Sequence, residues 1–274
     1  MRLLTLNTHS LVEENYPQKL HDFSAAVLRL KPDVIALQEV NQPISGEYVK
    51  KAAGYTPSQE RVPLKTGNHA LNVAKLLAEG GLKYFWSWLP MKIGYGIYDE
   101  GLAVLSRKPI SQTQEFLISR VHTYRNWRTR RILGIKNEDG WFYSIHTSWW
   151  GDKDEPFLPQ WQRLCGNVKG LENVWLMGDF NNPSQLRGEG YDLIIKSGWQ
   201  DCFTAADEKY GDATASGAID GWRERGVNDD GIRIDLILSD RKVKIRKCEV
   251  VFDGRNEAQV SDHYGVLAET SSEE

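Results

Sequence analysis

Acidic, amide and imidazole side chains recur in this chain of 274 residues at the ends of short apolar segments. Asn7 follows the run at 3–6, and Asp179 follows the run at 174–178. The full set is Asn7, Glu39, His146, Asp179, Asn181, Asp235, Asp262 and His263. A single acid in such a position usually caps a helix or forms a turn. Five such segment ends that combine carboxylates with imidazoles and contain no cysteine predict a shared chemical site.

Carboxylate and amide oxygens with a few imidazoles fit Mg²⁺ or Mn²⁺ better than structural zinc. Mg²⁺ keeps most of its waters and takes one or two carboxylates together with phosphate oxygens of a substrate. This donor set is therefore typical of phosphate ester hydrolysis. Cys165, Cys202 and Cys248 are too widely spaced for a zinc site or a disulfide framework. We expect them to be free thiols in a reducing compartment, the cytoplasm.

A strand–helix–strand pattern spans the first of these polar positions, Asn7, ends just before Glu39 and returns later in the chain. Residues 2–7 predict a strand, apolar residues at helical spacing from Leu20 to Leu30 predict a helix, and 33–38 predicts a buried strand. The same order returns at 141–146, 156–171 and 174–178. Ligands bind beyond the carboxyl ends of strands in α/β sheets, so this recurrence predicts two similar halves that share one site.

The rest of the chain predicts further elements of one domain over 1–270, with a frayed tail at 271–274. A helix is predicted at 68–79, strands at 84–89, 101–105, 131–135, 233–238 and 243–251, and long Gly-rich loops at 40–67 and 211–231. Hydrophobic residues make up 41% of the chain and charged residues 26%, which indicates a globular protein and not a disordered one. No apolar stretch approaches the roughly 18 residues of a membrane span, so we expect no membrane association.

Six motifs occur in the order of a known superfamily and extend from residue 7 to residue 263. They are Leu6-Asn7, Leu37-Gln38-Glu39-Val40, His146-Thr147-Ser148, Gly178-Asp179-Phe180-Asn181, Arg233-Ile234-Asp235 and Ser261-Asp262-His263. In these motifs the chain resembles the endonuclease/exonuclease/phosphatase superfamily. The resemblance implies an α/β protein, a four-layer α/β sandwich in which two packed mixed β-sheets are flanked by helices.

The resemblance also implies a role for each motif residue in a phosphoric ester hydrolase. Glu39 would be the main Mg²⁺ carboxylate, with Asn7 beside it, and Asp262 would contribute to the metal site or support it. Asp179 would orient and deprotonate the attacking water. Asn181 would hold that water or a phosphate oxygen.

The two remaining imidazoles would contact the phosphoryl group. His263 would donate to a non-bridging oxygen, with its tautomer fixed by Asp235. His146 would contact the phosphate from the other side. The implied reaction is in-line attack of water at phosphorus, driven by positioning and charge neutralisation.

Charge and aromatic content favour a small phosphate ester over a nucleic acid as the substrate. The net charge is −3, whereas chains that grip a nucleic-acid backbone usually carry a basic excess. Acids are frequent in the predicted loops, namely Glu13, Glu14, Glu47, Asp99, Glu100, Asp152, Asp154, Glu155, Asp229 and Asp230. Trp149 and Trp150 follow the His146 motif, and Trp222 lies in the Gly-rich loop before Asp235. Flat aromatic faces beside polar groups suit sugar rings.

Two further basic positions have alternative interpretations. His9 lies two residues after Asn7 and either faces the same cleft or caps a turn. Arg131 ends the basic run that includes Arg128 and Arg130. The run is either a solvated edge or the source of one arginine that reaches the phosphate, and we favour the second interpretation for Arg131.

Three function classes follow from these observations. Residues 4–10 and 146–150 also resemble the bacterial maltose 6'-phosphate phosphatase branch, which implies a Mg²⁺-dependent phosphomonoesterase acting on a phosphosugar, without an obligate protein partner. A Mg²⁺-dependent nuclease or phosphodiesterase is the alternative, and a continuous basic groove near Arg125 to Arg131 would favour it. A catalytically inactive binding module is disfavoured, because none of the expected catalytic positions is substituted.

Overall fold

The computed structural model describes residues 1–60, 62–215 and 231–271. In these ranges the larger sheet has the strand order β10 (Glu208–Tyr210), β12 (Ile245–Val251), β13 (Gly265–Thr270), β1 (Arg2–Asn7), β2 (Val34–Pro43), β4 (Tyr98–Ser106) and β3 (Phe85–Gly94). The smaller sheet has the order β5 (Gln112–Leu117), β6 (Arg131–Asn137), β7 (Gly140–His146), β8 (Val174–Asp179), β11 (Asp235–Ser239) and β9 (Gln200–Asp201). The α-helices are α1 (Tyr16–Leu30), α2 (His69–Glu79), α3 (Phe157–Val168), α4 (Gly190–Lys196) and α5 (Cys202–Ala205).

The alternation of side chains along β1 shows how the layers form. Successive residues of a strand point to opposite faces of the sheet. Leu4 and Leu6 accordingly pack with α1 and α2 in one apolar cluster, whereas Leu3 belongs to a second cluster between the two sheets. A third cluster, which includes Trp161, packs α3 and α4 onto the outer face of the smaller sheet. These clusters confirm the predicted four-layer α/β sandwich.

The two strand–helix–strand units pair in the same way, one in each sheet. β1 and β2 are parallel neighbours, with Asn7 opposite Gln38, and β7 and β8 are parallel neighbours, with His146 opposite Asp179. Parallel strands need a long crossover, which α1 and α3 supply. The carboxyl ends of all four strands therefore lie at the same edge of the sandwich.

Several element boundaries differ from the prediction. β2 continues to Pro43, although residues 40–67 were predicted to be a loop, because a β-bulge between Leu37 and Val40 lets the strand resume its pairing with β4. β5 was not predicted, since it is a partly exposed edge strand with no apolar alternation. Most of the predicted loop 211–231, including Trp222, lies outside the described residues.

The three cysteines are free, as expected, with Cys202 and Cys248 buried and Cys165 half-buried. Their pKa values are raised by burial, which makes them weak nucleophiles. Within the described part of the chain, no helix has the length and apolar character needed to cross a membrane.

Candidate active site

The polar residues singled out in the sequence meet where the two sheets end together. Asn7, His146 and Asp179 are the last residues of β1, β7 and β8. Asp235 is the first residue of β11 and pairs directly with Asp179, because β11 runs antiparallel to β8. His263 precedes β13, which runs antiparallel to β1 and so begins at the same edge. Antiparallel neighbours thus add their starting residues to the carboxyl ends of the central strands.

Backbone irregularities aim two of these side chains into the cleft. Glu39 lies in the bulge of β2 and has a φ of 51°, and Asn181 has a φ of 49°. Residues other than glycine in this left-handed conformation cost roughly 1–3 kcal/mol and cluster at functional sites. A bulge also reorients the side chain that it carries. Below the bulge, Gln38 Nε2 donates to Ser144 Oγ at 2.9 Å and ties the two sheets together.

Amide groups connect the carboxylates of the two sheets. Asn7 Nδ2 donates to Glu39 Oε1 at 3.1 Å and to Asp179 Oδ2 at 3.2 Å. The Asn181 backbone N–H donates to Asp179 Oδ1 at 2.8 Å. The Asn181 side-chain amide donates to Asp179 Oδ2 at 3.2 Å and to the Thr147 carbonyl oxygen at 3.0 Å. Asp179 is therefore held at the centre of the constellation by amides on both sides.

The Asp179 carboxyl group is buried and has an elevated pKa. Burial raises the pKa of Asp179 to about 7, with the His263 charge opposing the rise and Asp235 adding to it. A carboxylate with a pKa near neutrality is matched to proton transfer from water at physiological pH. The environment of Asp179 is therefore suited to a general base.

The two buried imidazoles differ in their charge states. His263 Nδ1 lies 2.9 Å from Asp235 Oδ2, and its Nε2 lies 3.9 Å from Asp179 Oδ2. Burial lowers the pKa of His263, but the neighbouring carboxylates, Asp235 foremost, outweigh it and raise that pKa to about 10. His146 Nε2 lies 3.6 Å from Asp179 Oδ2, and burial together with Arg130 and Lys92 holds the pKa of His146 well below its ordinary value. His263 is thus a charged donor and His146 a neutral imidazole.

The carboxylates of the cleft fit a divalent cation. Within the described residues, Glu39, Asp179 and Asp262 make no ion pair with a lysine or arginine. Burial and the negative charge of Glu100 raise the pKa of Glu39. Carboxylate oxygens that no lysine or arginine neutralises are suited to Mg²⁺ or Mn²⁺. Two groups place their ligand atoms within 4.8 Å of one another, and they are Asp179, Asp235 and His263, and His9, Glu13 and Asp262.

His9 faces the cleft. Its Nδ1 lies 2.8 Å from Glu13 Oε1, and its Nε2 lies 2.9 Å from Tyr95 Oη. It also precedes a short 3₁₀-helix (Ser10–Val12) but makes no capping hydrogen bond with its side chain. Of the two interpretations of His9, the structure favours the one in which it lines the cleft.

The cleft has a volume of about 640 Å³, and sequence reasoning missed part of its lining. The side chains that were not predicted include Lys92, Tyr95, Glu100, Trp127 and Arg130. Lys92 pairs across the β3–β4 hairpin with Glu100, at 3.0 Å between Nζ and Oε1. A lysine inside an apolar strand segment facing an acid in the next segment was the available signal for this pair.

Of the predicted aromatic residues, Trp149 lines the cleft and Trp150 does not. Trp150 is half-buried and packs against the apolar cluster behind β7. Trp149 is also half-buried and packs against a small apolar cluster that includes Ile232, but its ring stacks on Trp127, with ring centroids 6.4 Å apart and an interplanar angle of 20°. Trp127 is 48% exposed, although large aromatic side chains are usually covered. We call Trp127 and Trp149 the aromatic wall of the cleft.

Arg130, and not Arg131, reaches the cleft. Arg131 begins β6, forms an ion pair with Glu60 and does not line the cleft. Adjacent residues of an extended chain point to opposite sides, so a shift of one position exchanges the two arginines. Arg128 lies over the Trp127 ring at 4.2 Å and pairs with Asp154. Arg128, Arg130 and Arg131 therefore do not form one continuous basic surface.

Several acids that were expected to make the loops repel a polyanion are neutralised internally. Asp99 is buried and pairs with Lys65, at 2.7 Å between Oδ2 and Nζ. Glu13 pairs with Lys19, and Asp152 is buried beside Arg128. The acidity of the sequence is thus a weaker argument against nucleic acids than the loop positions indicated.

Comparison with known proteins identifies the family. The model of the Endonuclease/Exonuclease/phosphatase family matches residues 4–263, and the chain belongs to this family. An endonuclease/exonuclease/phosphatase family protein from Leptotrichia buccalis C-1013-b is 28% identical with a TM-score of 0.85, covering 99% of this chain and 100% of that one. No curated protein sequence matches significantly.

Two more distant structures share the fold. A mannosyl-6-phosphatase from Bacteroides thetaiotaomicron VPI-5482 is 15% identical with a TM-score of 0.65, covering 99% of this chain and 100% of that one. The 3'-5' exonuclease NExo from Neisseria meningitidis is 16% identical with a TM-score of 0.62, covering 99% of this chain and 100% of that one.

Proposed function

We propose that the protein is a metal-dependent phosphomonoesterase that hydrolyses a phosphosugar, with maltose 6'-phosphate as a candidate substrate. The observation that carries the proposal is the buried constellation around Asp179, in which amides from both sheets hold a carboxylate of raised pKa beside a charged imidazole. The membership of the family supports ester hydrolysis. The free cysteines support the cytoplasm as the compartment.

Different residues have different roles in the in-line attack of water. Asp179 takes the proton of the attacking water, whose oxygen bonds to phosphorus as the bond to the sugar oxygen breaks and that oxygen takes a proton from solvent. Asn181 orients that water or a phosphoryl oxygen. A Mg²⁺ or Mn²⁺ ion held by Glu39 and Asn7, with Asp262 nearby, would supply charge neutralisation at the phosphoryl group.

The imidazoles stabilise the charge that develops on phosphorus-bound oxygens. Asp235 accepts a hydrogen bond from Nδ1–H of His263, which leaves Nε2–H free to donate to a non-bridging oxygen. The neutral His146 contacts the phosphoryl group without repelling the charged His263 or the metal. The two imidazoles differ because burial and nearby cations lower the pKa of His146, whereas Asp235 and other carboxylates raise the pKa of His263.

The sugar is proposed from the lining of the cleft. The aromatic wall stands beside carboxylate, amide and imidazole groups, the combination that binds sugar rings by stacking and by hydrogen bonds to hydroxyls. His9, with Tyr95 against its Nε2, offers a further polar contact. The structural likeness to a mannosyl-6-phosphatase is in keeping with this class of substrate. Trp222 lies outside the described residues, so its proposed contact with the sugar comes from the sequence.

A nuclease or phosphodiesterase is the second candidate. Asp99 pairs with Lys65 and Glu13 pairs with Lys19, and these ion pairs remove part of the expected repulsion of a polyanion. The pairing of Arg128 and Arg131 with carboxylates removes part of the expected attraction. Strong affinity for a nucleic-acid backbone needs several free cations along one surface, so the phosphosugar remains the favoured substrate.

A substrate panel tests the proposed function. The metal-free protein would be assayed with added Mg²⁺ or Mn²⁺ on maltose 6'-phosphate, hexose 6-phosphates, nucleoside monophosphates, bis(p-nitrophenyl) phosphate and plasmid DNA. We expect release of inorganic phosphate, fastest from a sugar phosphate and abolished by a chelator. Faster cleavage of the diester or of DNA than of any sugar phosphate would instead establish the second candidate.

Trp149→Ala is expected to raise KM for a phosphosugar by about one to two decades, because a ring-stacking contact is worth roughly 1–3 kcal/mol. Glycerol phosphate has no ring to stack, so its KM should change little. The measurement is KM for both substrates on the wild-type protein and the variant. Equal losses on both substrates would remove Trp149 from sugar binding.

Trp150→Ala is the matched control for this prediction. Trp150 packs against the apolar cluster behind β7, so its removal should lower the melting temperature, with a cost of up to about 3 kcal/mol. The ratio of KM for the phosphosugar to KM for glycerol phosphate should stay at that of the wild-type protein. If this ratio rose as strongly as in Trp149→Ala, the sugar contact would be assigned to both residues.

A further inference from the structure

Two buried cations face the cleft from different elements. Lys92 is 7% exposed and lies on β3, and Arg130 is 4% exposed and directly precedes β6. Lys92 Nζ donates to the carbonyl oxygen of Trp127 at 3.0 Å, and Arg130 Nη1 donates to the same oxygen at 2.9 Å. This shared acceptor fixes the two side chains relative to each other. We call Lys92 and Arg130 the cation pair.

Arg130 has no carboxylate at ion-pair distance among residues 1–60, 62–215 and 231–271. Its Nε is buried and makes no hydrogen bond within those ranges. Burial lowers the pKa of Arg130, with the Glu100 charge and then the Glu39 charge opposing the fall. A buried guanidinium without a paired carboxylate is costly for folding, and such a group is retained where it binds an anion.

Lys92 is less available than Arg130, because Glu100 neutralises part of its charge. Burial lowers the pKa of Lys92, and the charge of Arg130 lowers it further, which shows that the two cations act on one another. Glu100 already lies beside Lys92, so Arg130 is the member of the pair without an anionic partner at ion-pair distance in the described part of the chain. The geometry therefore favours an anionic ligand at Arg130, with Lys92 beside it as a second donor.

We propose that the cation pair binds the terminal phosphoryl oxygens of the substrate and selects a phosphomonoester over a phosphodiester. The proposal rests on the proposed function in that the phosphoryl group must lie in this cleft. A monoester has three non-bridging oxygens and about two negative charges near pH 7, whereas a diester has two such oxygens and one charge. The planar fork of Arg130 matches two oxygens of a phosphate, and Lys92 adds a point charge.

The physical basis of the selection is the third oxygen. In a diester its place is taken by an ester oxygen that carries a carbon substituent and no charge. That substituent would strip water from Lys92 and Arg130 without supplying a charged acceptor. Discrimination therefore arises from the cations that a diester leaves unsatisfied.

The test compares two p-nitrophenyl esters and one inhibitor. Arg130→Gln and Lys92→Met would be assayed on p-nitrophenyl phosphate and bis(p-nitrophenyl) phosphate, and calorimetry would measure the dissociation constant of inorganic phosphate. For Arg130→Gln we expect kcat/KM on the monoester to fall about 10–100-fold more than on the diester, with phosphate binding weakened to a similar degree. Lys92→Met should act in the same direction with a smaller effect, and Arg130→Lys should restore part of the loss.

Lys65→Met is the matched control, because Lys65 is a buried lysine that pairs with Asp99 and does not line the cleft. Its loss should lower the melting temperature and leave the monoester preference and phosphate affinity unchanged. Equal losses on both esters in Arg130→Gln, with phosphate affinity intact, would overturn the proposal. A similar loss of phosphate affinity in Lys65→Met would also overturn it.

The phosphate measurement separates this proposal from the proposed function. Binding of inorganic phosphate needs no turnover. If the wild-type protein binds phosphate through Arg130 but hydrolyses no sugar phosphate in the panel, the cation pair stands and the proposed substrate fails. If sugar phosphates are hydrolysed and Arg130→Gln keeps both the phosphate affinity and the monoester preference, the cation pair fails and the function stands.

Discussion

Asp179→Asn should lower kcat by about two to four orders of magnitude while the protein remains folded. Asn cannot take the proton of the attacking water, and general base catalysis contributes roughly that factor. Asn7 and Asn181 would still hold the side chain in place, since both lie within hydrogen-bond distance of it. In the variant one of these hydrogen bonds is lost, because the new side-chain NH₂ group faces another N–H donor. Removal of a buried negative charge offsets the loss of stability. The measurement is kcat at saturating substrate and Mg²⁺, with a melting curve for each protein.

Asp201→Asn is the control for Asp179→Asn. Asp201 is also buried, but it accepts hydrogen bonds from Arg233 and Tyr191, away from the cleft. Its substitution leaves a buried arginine short of its partner and should lower the melting temperature with kcat almost unchanged. If Asp179→Asn kept a normal kcat and an intact fold, Asp179 would not be the base.

The elements with strong apolar periodicity were predictable from the sequence, and the weakly patterned ones were not. The α1 helix shows apolar residues at helical spacing and ends at Leu30, and the following residue, Lys31, adopts a φ of 48° ahead of Pro32. By contrast, β5 is a partly exposed edge strand and β10 an exposed one, and both are defined by their pairing partners. The continuation of β2 beyond Val40 depends on a bulge and on pairing with β4, neither of which leaves a pattern in one segment.

In the candidate site, prediction from the sequence succeeded for the strand ends and failed for the choice between neighbouring residues. The polar residues at strand ends could be predicted, because chain order and strand direction bring those ends to one edge. Which of two neighbours faces the cleft could not be predicted without the register. Arg130 lines the cleft and Arg131 does not, and Trp149 lines it and Trp150 does not. In both cases the two residues are neighbours in the sequence. Lys92 was missed because its partnership with Glu100 crosses a hairpin.

In the proposed function metal dependence rests on Glu39, and its substitution is expected to give the second large effect. Glu39 is half-buried in the β2 bulge, and its Oε1 accepts a hydrogen bond from Asn7. Glu39→Gln keeps the shape and the capacity to accept this bond but removes the negative charge. Losing even an outer hydrogen-bond partner of a metal ligand costs about 10–100-fold in metal affinity or activity. We expect the Mg²⁺ concentration for half-maximal activity to rise by at least that factor.

The experiment is a titration of the metal-free protein with Mg²⁺, followed by activity, and with Mn²⁺, followed by calorimetry. The binding arm reports the effect of Glu39→Gln even if turnover becomes too slow to measure. Glu257→Gln serves as the control, because Glu257 is a buried carboxylate that pairs with Arg29 and does not line the cleft. Its titration curves should match those of the wild-type protein. Unchanged curves for Glu39→Gln as well would contradict the assignment, because a ligand carboxylate cannot lose its charge without weakening its hold on a divalent cation.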